Sequence, residues 1–288
     1  MKAEVLTPGI LATVQDLGRP GYAAIGVGRS GAADRGSLRL ANRLVGNPEG
    51  NAGIEATMGG LVLRFSSATT VAVTGAPCAI TAGGRAAGPD SPIPLRAGDE
   101  LVLGMPSRGL RCYVAVRGGF DVPAVLGARA TDTLGGLGPP VLTAGATLPV
   151  GHRVLGPPNV DLAPRPPLPD EPVLRITPGP RLDWFTADAL STVVSRPYTA
   201  TADVNRVGVR LEGPALTRAR SGELPPEAAV PGALQVPPSG QPILFLADHP
   251  ATGGYPVVAV VDENDLDLAA QVRPGQRIRF FQPSLPSF

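Results

Sequence analysis

The residues best equipped for chemistry sit among glycines. Residues 13–22 (TVQDLGRPGY) bring together an amide, an acid and a fixed cation in Gln15, Asp16 and Arg19. Gly18, Pro20 and Gly21 turn the chain tightly around them. Such side chains suit the binding of an acyl or amide group, and loops on a rigid scaffold commonly do this work. The plain alternative is a turn that Asp16 and Arg19 pair to hold. A second cluster runs from residues 232–241 (GALQVPPSGQ) into 243–255 (ILFLADHPATGGY). An apolar strand there leads to Asp248 and His249 and then to a Thr-Gly-Gly turn, which suits anion binding or proton transfer. Neighbours on an extended chain face opposite ways, so one of the two is expected to be structural. A capping aspartate in a turn is the alternative. The third cluster, residues 116–120 (VRGGF) and 127–138 (GARATDTLGGLG), sets Arg117, Arg129 and Asp132 in tight loops. An arginine so placed grips a carboxylate at two points, or braces the loop through carbonyls. Asn205 and Arg206, leading into a strand, form a fourth candidate.

Elements able to position these loops are mostly strands. Gly 37 and Pro 34 in 288 residues favour short strands and turns over long helices. Strands are expected within 61–65, 70–73, 101–103, 112–116, 173–176, 207–211, 243–246, 257–261 and 277–281. One substantial helix is expected over 34–45, capped by Asp34 and stopped by Gly46-Asn47-Pro48. Its Arg35, Arg39 and Arg43 make a basic stripe, read as a solvated face. Short helices are expected over 184–190 and 264–271, and a mobile loop over 221–233. Residues 156–172 hold seven prolines and read as a semi-rigid linker. The expected domains are therefore residues 1–155 and 173–288, joined by 156–172. Both open alike, with VLTPG at 5–9 and RITPG at 175–179. A glycine turn followed by a strand recurs at 95–104, 142–151 and 272–281, which points to two related β-barrels. Loops of both halves would then converge in a cleft, a common place for a site.

Several function classes are excluded. With 25 basic and 24 acidic residues the net charge is +1, and no basic tract marks a nucleic-acid partner. No apolar run reaches the roughly 18 residues of a membrane span, and no signal peptide is visible. Cys78 and Cys112 read as reduced core residues of a cytoplasmic protein. Two cysteines and two histidines without ligand spacing imply no metal site. Walker, dinucleotide, serine-elbow and HExxH motifs are missing.

TVQDLGRPGY, SGAxD, ANRLVGN, Glu55 within IEAT, VRGGF, ATDTLGGLG, GALQVPPSGQPI, TGGYP and LAAQVRPGQRIRF together resemble the carboxyltransferase subdomain family over nearly the whole chain. That family takes in the C subunits of 5-oxoprolinases, formerly described as allophanate hydrolase subunit 2. It also takes in half of the carboxyltransferase region of urea carboxylase. The resemblance implies a mainly β fold of two cyclophilin-like β-barrels with a few short helices. It implies partner subunits of the B type and the A type, which with this chain open the lactam of 5-oxo-L-proline to L-glutamate at the expense of ATP. The ATP, used by the complex, is not assigned to this chain. The alternatives are a biotin-dependent carboxyltransferase acting on urea or a similar amide, and a non-enzymatic regulator of a kinase inhibitor. Asp16, Arg19, Arg129 and Asp248 are the expected catalytic residues. Gln15, Asn42, Asp132, Arg206, Gln235 and Tyr255 are the expected substrate contacts. The chain departs from the family pattern at Asn205, where relatives carry an acid, at His249-Pro250-Ala251, where a hydroxyl and an amide are lost, and at Ala33 in place of Met.

Overall fold

The computed structural model describes residues 1–222 and 224–283. It shows a mainly β chain, as the sequence leads one to expect, in two compact units. The first comprises Met1–Arg19 and Ser30–Leu168; the second comprises Pro20–Arg29 and the chain from Pro169 on.

Two antiparallel sheets build the first unit. One has six strands in the order Thr147–Pro149, Lys2–Pro8, Leu61–Phe65, Glu100–Pro106, Cys78–Ala82, Arg85–Ala87. Burial alternates along Leu61–Phe65 and along most of Glu100–Pro106, so this sheet has one wet face. The other has five strands in the order Leu11–Gln15, Gly53–Thr57, Arg111–Val116, Thr69–Gly75, Pro92–Leu95. Its central strand, Arg111–Val116, is buried at every position. Cys112, Val114 and Val116 enter the main core with Val5, Leu61 and Phe65. Tyr113 packs with Leu38, and Ala115 with Ala41, Leu44 and Val45. Leu38, Ala41, Leu44 and Val45 belong to helix α1 (Arg35–Leu44) and its C-cap, so the helix roofs the second face. A helix with apolar residues on more than one side suits that wedged position. Asp34 caps it, accepting the Ser37 N–H at 2.8 Å and the Ser37 hydroxyl at 2.6 Å. Arg39 and Arg43 on its outer face both reach Glu49.

The second unit is a closed barrel. Its strands run Val173–Pro178, Val257–Val261, Ala233–Gln235, Ile243–Phe245, Gly208–Glu212, Tyr198–Val204, Arg277–Phe281. A parallel pairing of the last with the first closes it, which removes free sheet edges. Leu174, Tyr198, Val209, Leu234 and Leu244 are among its fully buried core. A two-stranded ribbon, Glu227–Ala228 with Thr252–Gly253, is separate from the barrel sheet.

The repeated glycine turns have one geometry. Asp99 N–H donates to Arg96, Ala146 N–H to Thr143, and Gln276 N–H to Arg273. The glycines before them, Gly98, Gly145 and Gly275, have φ of 85°, 84° and 78°, a region that glycine enters without strain. Each turn leads into a strand, and two of those strands pair with the opening strand of their unit. Cys78 and Cys112 are free thiols, their sulfurs 3.8 Å apart.

Two expectations need correction. The helix expected over 184–190 is replaced by a 3-10 turn, Leu182–Trp184, and a helix α2, Ala189–Ser195. Phe185 lies between them because it is extended, bridging to Arg218 and buried in the barrel core. The stretch 221–233 is not all loop: it contributes one strand of the ribbon and the first residue of a barrel strand, while its Glu223 lies outside the described residues. The proline-rich stretch forms no helix or strand. Up to Leu168 it is tied to the first unit: Arg165 reaches Ser37, Gly75 and Asp90, and Gly156 accepts from Arg117. No helix among the described residues is long and apolar enough to cross a membrane.

Glycine replacements separate strain from crowding. A Cβ on Gly9, at φ 71°, would lie 2.1 Å from the Gly59 carbonyl oxygen, whereas one on Gly98 would meet nothing within 4 Å. Gly98→Ala is expected to cost about 1 kcal/mol of left-handed strain. Gly9→Ala adds an overlap that moves backbone, and about 3 kcal/mol or more is expected. Urea unfolding of the two variants measures the difference.

Candidate functional site

In the first unit the carboxylate of Asp16 organises three segments. One oxygen accepts the Gly18 N–H at 2.8 Å and the other the Arg129 N–H at 2.6 Å. Its own carbonyl accepts Ala32 N–H at 2.9 Å. Both side-chain oxygens thus receive backbone donors, an arrangement that fixes the loops.

Around this hub lies a group of buried polar side chains with unused capacity. Gln15, fully buried, donates to the Thr13 hydroxyl at 3.0 Å and to the Thr131 carbonyl at 2.9 Å. Its own amide oxygen has no hydrogen-bond partner among the described residues, nor has the Thr131 hydroxyl. Arg19, 1 % exposed, donates to the Ala130 carbonyl and stands 3.7 Å from Asp132. Its Nε and Nη1 make no hydrogen bond to the described residues. Unsatisfied buried donors and acceptors are rare, and their concentration in one place marks a polar site. Asp132 closes the glycine loop by accepting the N–H groups of Leu134 and Gly135. Gly138, at φ 82°, leaves room: a Cβ there would lie 3.2 Å from Arg19 Nη2 and 2.1 Å from the Ala130 carbonyl oxygen.

Arg129 links this region to a cavity of about 220 Å³, lined also by Asn51, Gly119, Asp121, His152 and Arg153. Its guanidinium meets Asp121 at 2.7 Å while its Nε has no hydrogen-bond partner among the described residues. With two arginines against one acid, the cavity can take an anionic or carbonyl-bearing group. Asn42 is used otherwise. Its amide donates to the Glu49 and Asn51 carbonyls and its oxygen accepts from Asn47, which holds the turn after α1.

Beneath the helix a second buried network carries Glu55, a residue noted in sequence only as part of a motif. It accepts the Tyr113 hydroxyl at 2.6 Å and the Ala33 N–H at 2.9 Å, with Arg111 3.5 Å away. Burial first, and then the Glu55 charge, push the Tyr113 hydroxyl well above its ordinary range near 10. The folded chain therefore holds this proton more tightly than the unfolded one. Its contribution is complete below about pH 10 and is lost as pH rises towards the folded value. Urea midpoints taken across alkaline pH are expected to fall less steeply in Tyr113→Phe than in the parent.

The second unit contains the remaining residues. Arg206 and Asp248 form a two-point pair, both bonds 2.9 Å, with side chains 1 % and 0 % exposed. The Asp248 N–H also donates to the Arg206 carbonyl. Asn205 forms a turn by accepting the N–H groups of Val207 and Gly208. His249 stacks on Phe245 and its Nδ1 lies 2.8 Å from the Pro250 carbonyl oxygen. Gln235 is buried against Gly253. Tyr255 packs beneath Arg218, whose guanidinium carbon is 5.7 Å from the ring centre. Sequence reasoning passed over Arg218, which stands between the strand expected at 207–211 and the loop expected at 221–233.

Breaking the Arg206–Asp248 pair tests its weight. Asp248→Ala leaves a buried guanidinium short of its partner and is expected to cost about 3–5 kcal/mol. Arg129→Ala removes a pair open to solvent and should cost under about 1 kcal/mol. Denaturant unfolding of both variants separates a structural brace from a surface group.

The family model described as carboxyltransferase domain, subdomain A and B, matches residues 25–282. The C subunit of 5-oxoprolinase from Escherichia coli (strain K12) is 36% identical, over 98% of this chain and 91% of its own length. The crystal structure of TTHA0988 superposes with a TM-score of 0.88 at 36% identity, over 97% of this chain and 55% of that one. The K. lactis urea amidolyase structure superposes with a TM-score of 0.91 at 32% identity, over 98% of this chain and 19% of that one. The chain thus spans about half of one solved relative and a fifth of the other.

Proposed function

The chain belongs to the carboxyltransferase family of subdomains A and B, and from that premise we propose that it is the C subunit of an ATP-dependent 5-oxoprolinase. In this reading it acts in the cytoplasm with A-type and B-type partner subunits and hydrolyses 5-oxo-L-proline to L-glutamate. The observation that supports it is likeness: a relative named as the C subunit of 5-oxoprolinase is 36% identical over 98% of this chain.

The polar groups suit the chemistry. Opening a lactam adds water across the carbonyl, builds negative charge on its oxygen and requires a proton at the departing nitrogen. Buried N–H donors aimed at a developing oxyanion lower that barrier more than the same donors in water would. Arg19, with two guanidinium nitrogens lacking hydrogen bonds, is such a donor. Arg129 adds a cationic cavity for an anionic group. Asp16 and Asp248 orient their neighbours through both carboxylate oxygens. A second reading, carboxyl transfer from carboxybiotin to an amide such as urea, draws on the likeness to urea amidolyase.

Reconstitution distinguishes the two. The chain is co-expressed and purified with A-type and B-type proteins, then supplied with 5-oxo-L-proline and ATP. Glutamate release by the assembly and none by the chain alone is the expected result. A chain that instead purifies with a biotinylated protein and supports urea carboxylation would replace this reading with the second. Arg19→Lys keeps the charge and loses the forked donor set, so about a hundredfold loss of turnover is expected in the assembly.

A further inference from the structure

We infer that the side-chain amide of Gln235 is a recognition element for a cis amide, binding lactam N–H and C=O together. The inference rests on the proposed 5-oxoprolinase reading for the identity of its natural ligand. Four observations on the second unit support it. Gln235 is 6 % exposed, yet its side-chain amide makes no hydrogen bond to any described residue. A primary amide offers two donors and an acceptor with two lone pairs, and those of Gln235 are not among the fully enclosed polar atoms, so a ligand can reach them. The strand carrying it is out of step with its neighbour at this point. Leu234 pairs with Ala259 while Gln235 pairs with Val257, so the register shifts between the two. Such irregularities re-aim a side chain beside active sites.

The third observation is the surface against which the amide lies. A Cβ on Gly253 would fall 2.3 Å from Gln235 Nε2 and 3.4 Å from Oε1, so only glycine permits this placement. Gly253 belongs to the ribbon strand Thr252–Gly253, whose pairing with Glu227–Ala228 holds it in position. The fourth is the neighbourhood. The next carbonyl, that of Val236, is taken by Arg218 at 2.6 Å, and Arg218 covers Tyr255. That carbonyl is therefore occupied, while the Gln235 amide and Arg218 Nε make no hydrogen bond to a described residue.

The shape of a primary amide selects the ligand class. One N–H lies on the same side as the carbonyl oxygen, so donor and acceptor point the same way. An ordinary peptide bond is trans and presents its N–H and C=O on opposite sides. A lactam ring forces the cis form, and its N–H and C=O then face one partner. Two parallel hydrogen bonds join the amides in a closed ring. Urea has the same edge, whereas an N-alkylated lactam lacks the donor.

Ligand-observed NMR on the full chain tests this with 5-oxo-L-proline, 2-pyrrolidinone and N-methyl-2-pyrrolidinone. The parent chain is expected to bind the first two and to bind the N-methyl compound at least about tenfold more weakly. Gln235→Leu, of similar size, should lose that preference. Gly253→Ala should lose it as well, through displacement of an unaltered Gln235, with melting temperature followed as a control for folding. Equal binding of the N–H and N-methyl lactams by the parent, no lactam binding by the parent, or an unchanged preference in Gln235→Leu would each overturn the inference. Its failure and that of the proposed function are separable. Glutamate release by an assembly containing Gln235→Leu at the parent rate defeats only the recognition role. Gln235-dependent lactam binding by a chain whose assembly never releases glutamate defeats only the 5-oxoprolinase reading.

Discussion

A carboxylate withdrawn from water needs its lone pairs filled by donors, and much of the first unit follows from how Asp16 fills them. Its two oxygens take backbone N–H groups from Gly18 and Arg129, and its carbonyl takes Ala32. The turn after the strand, the stretch before α1 and a loop 113 positions on are thereby fixed to the end of one strand. Charge-assisted bonds of this kind are roughly twice as strong as neutral ones. Without them, neither Arg19 nor Arg129 would have a defined position, because the segments carrying both have little regular structure. Glu55 repeats the device one layer deeper, where it gathers Tyr113, Arg111 and the Ala33 backbone below the start of α1.

This arrangement stabilises positions at the expense of satisfied bonds. Gln15, Arg19 and Thr131 each keep a polar atom without a hydrogen-bond partner among the described residues while being at least 96 % buried. In a purely structural turn such atoms would be replaced by apolar ones of the same shape at little cost. Their concentration beside the Asp16 hub is what separates a candidate site from a brace. By the same test Asn42 is a brace, since its capacity is spent on neighbouring loops, whereas Asp132 gives one oxygen to its loop and turns the other towards Arg19.

What could be read from sequence was whatever local chemistry decides. Asp34 before a helical pattern announced its cap, and Gly98, Gly145 and Gly275 announced turns that only glycine makes easily. Short runs of valine, isoleucine and leucine gave most strands. The long family motifs located the loops where the buried polar groups gather. What escaped depended on partners distant in the chain. Phe185 breaks an apparent helix because Arg218 and the barrel core claim it. The duties of Asn42 depend on Asn47 and Asn51, and an isolated amide in a helix carries no sign of them. Arg218 gave no signal either, because its aromatic and carbonyl partners lie 37 and 18 positions away.

The two units do not divide the chain at one point. Pro20–Arg29 interrupts the first unit's sequence yet belongs with the second. A gene fragment starting at Pro169 would therefore encode every strand of the barrel but lack one segment of its unit. Splitting the protein at the proline-rich stretch would part the second unit from the Pro20–Arg29 segment that belongs with it.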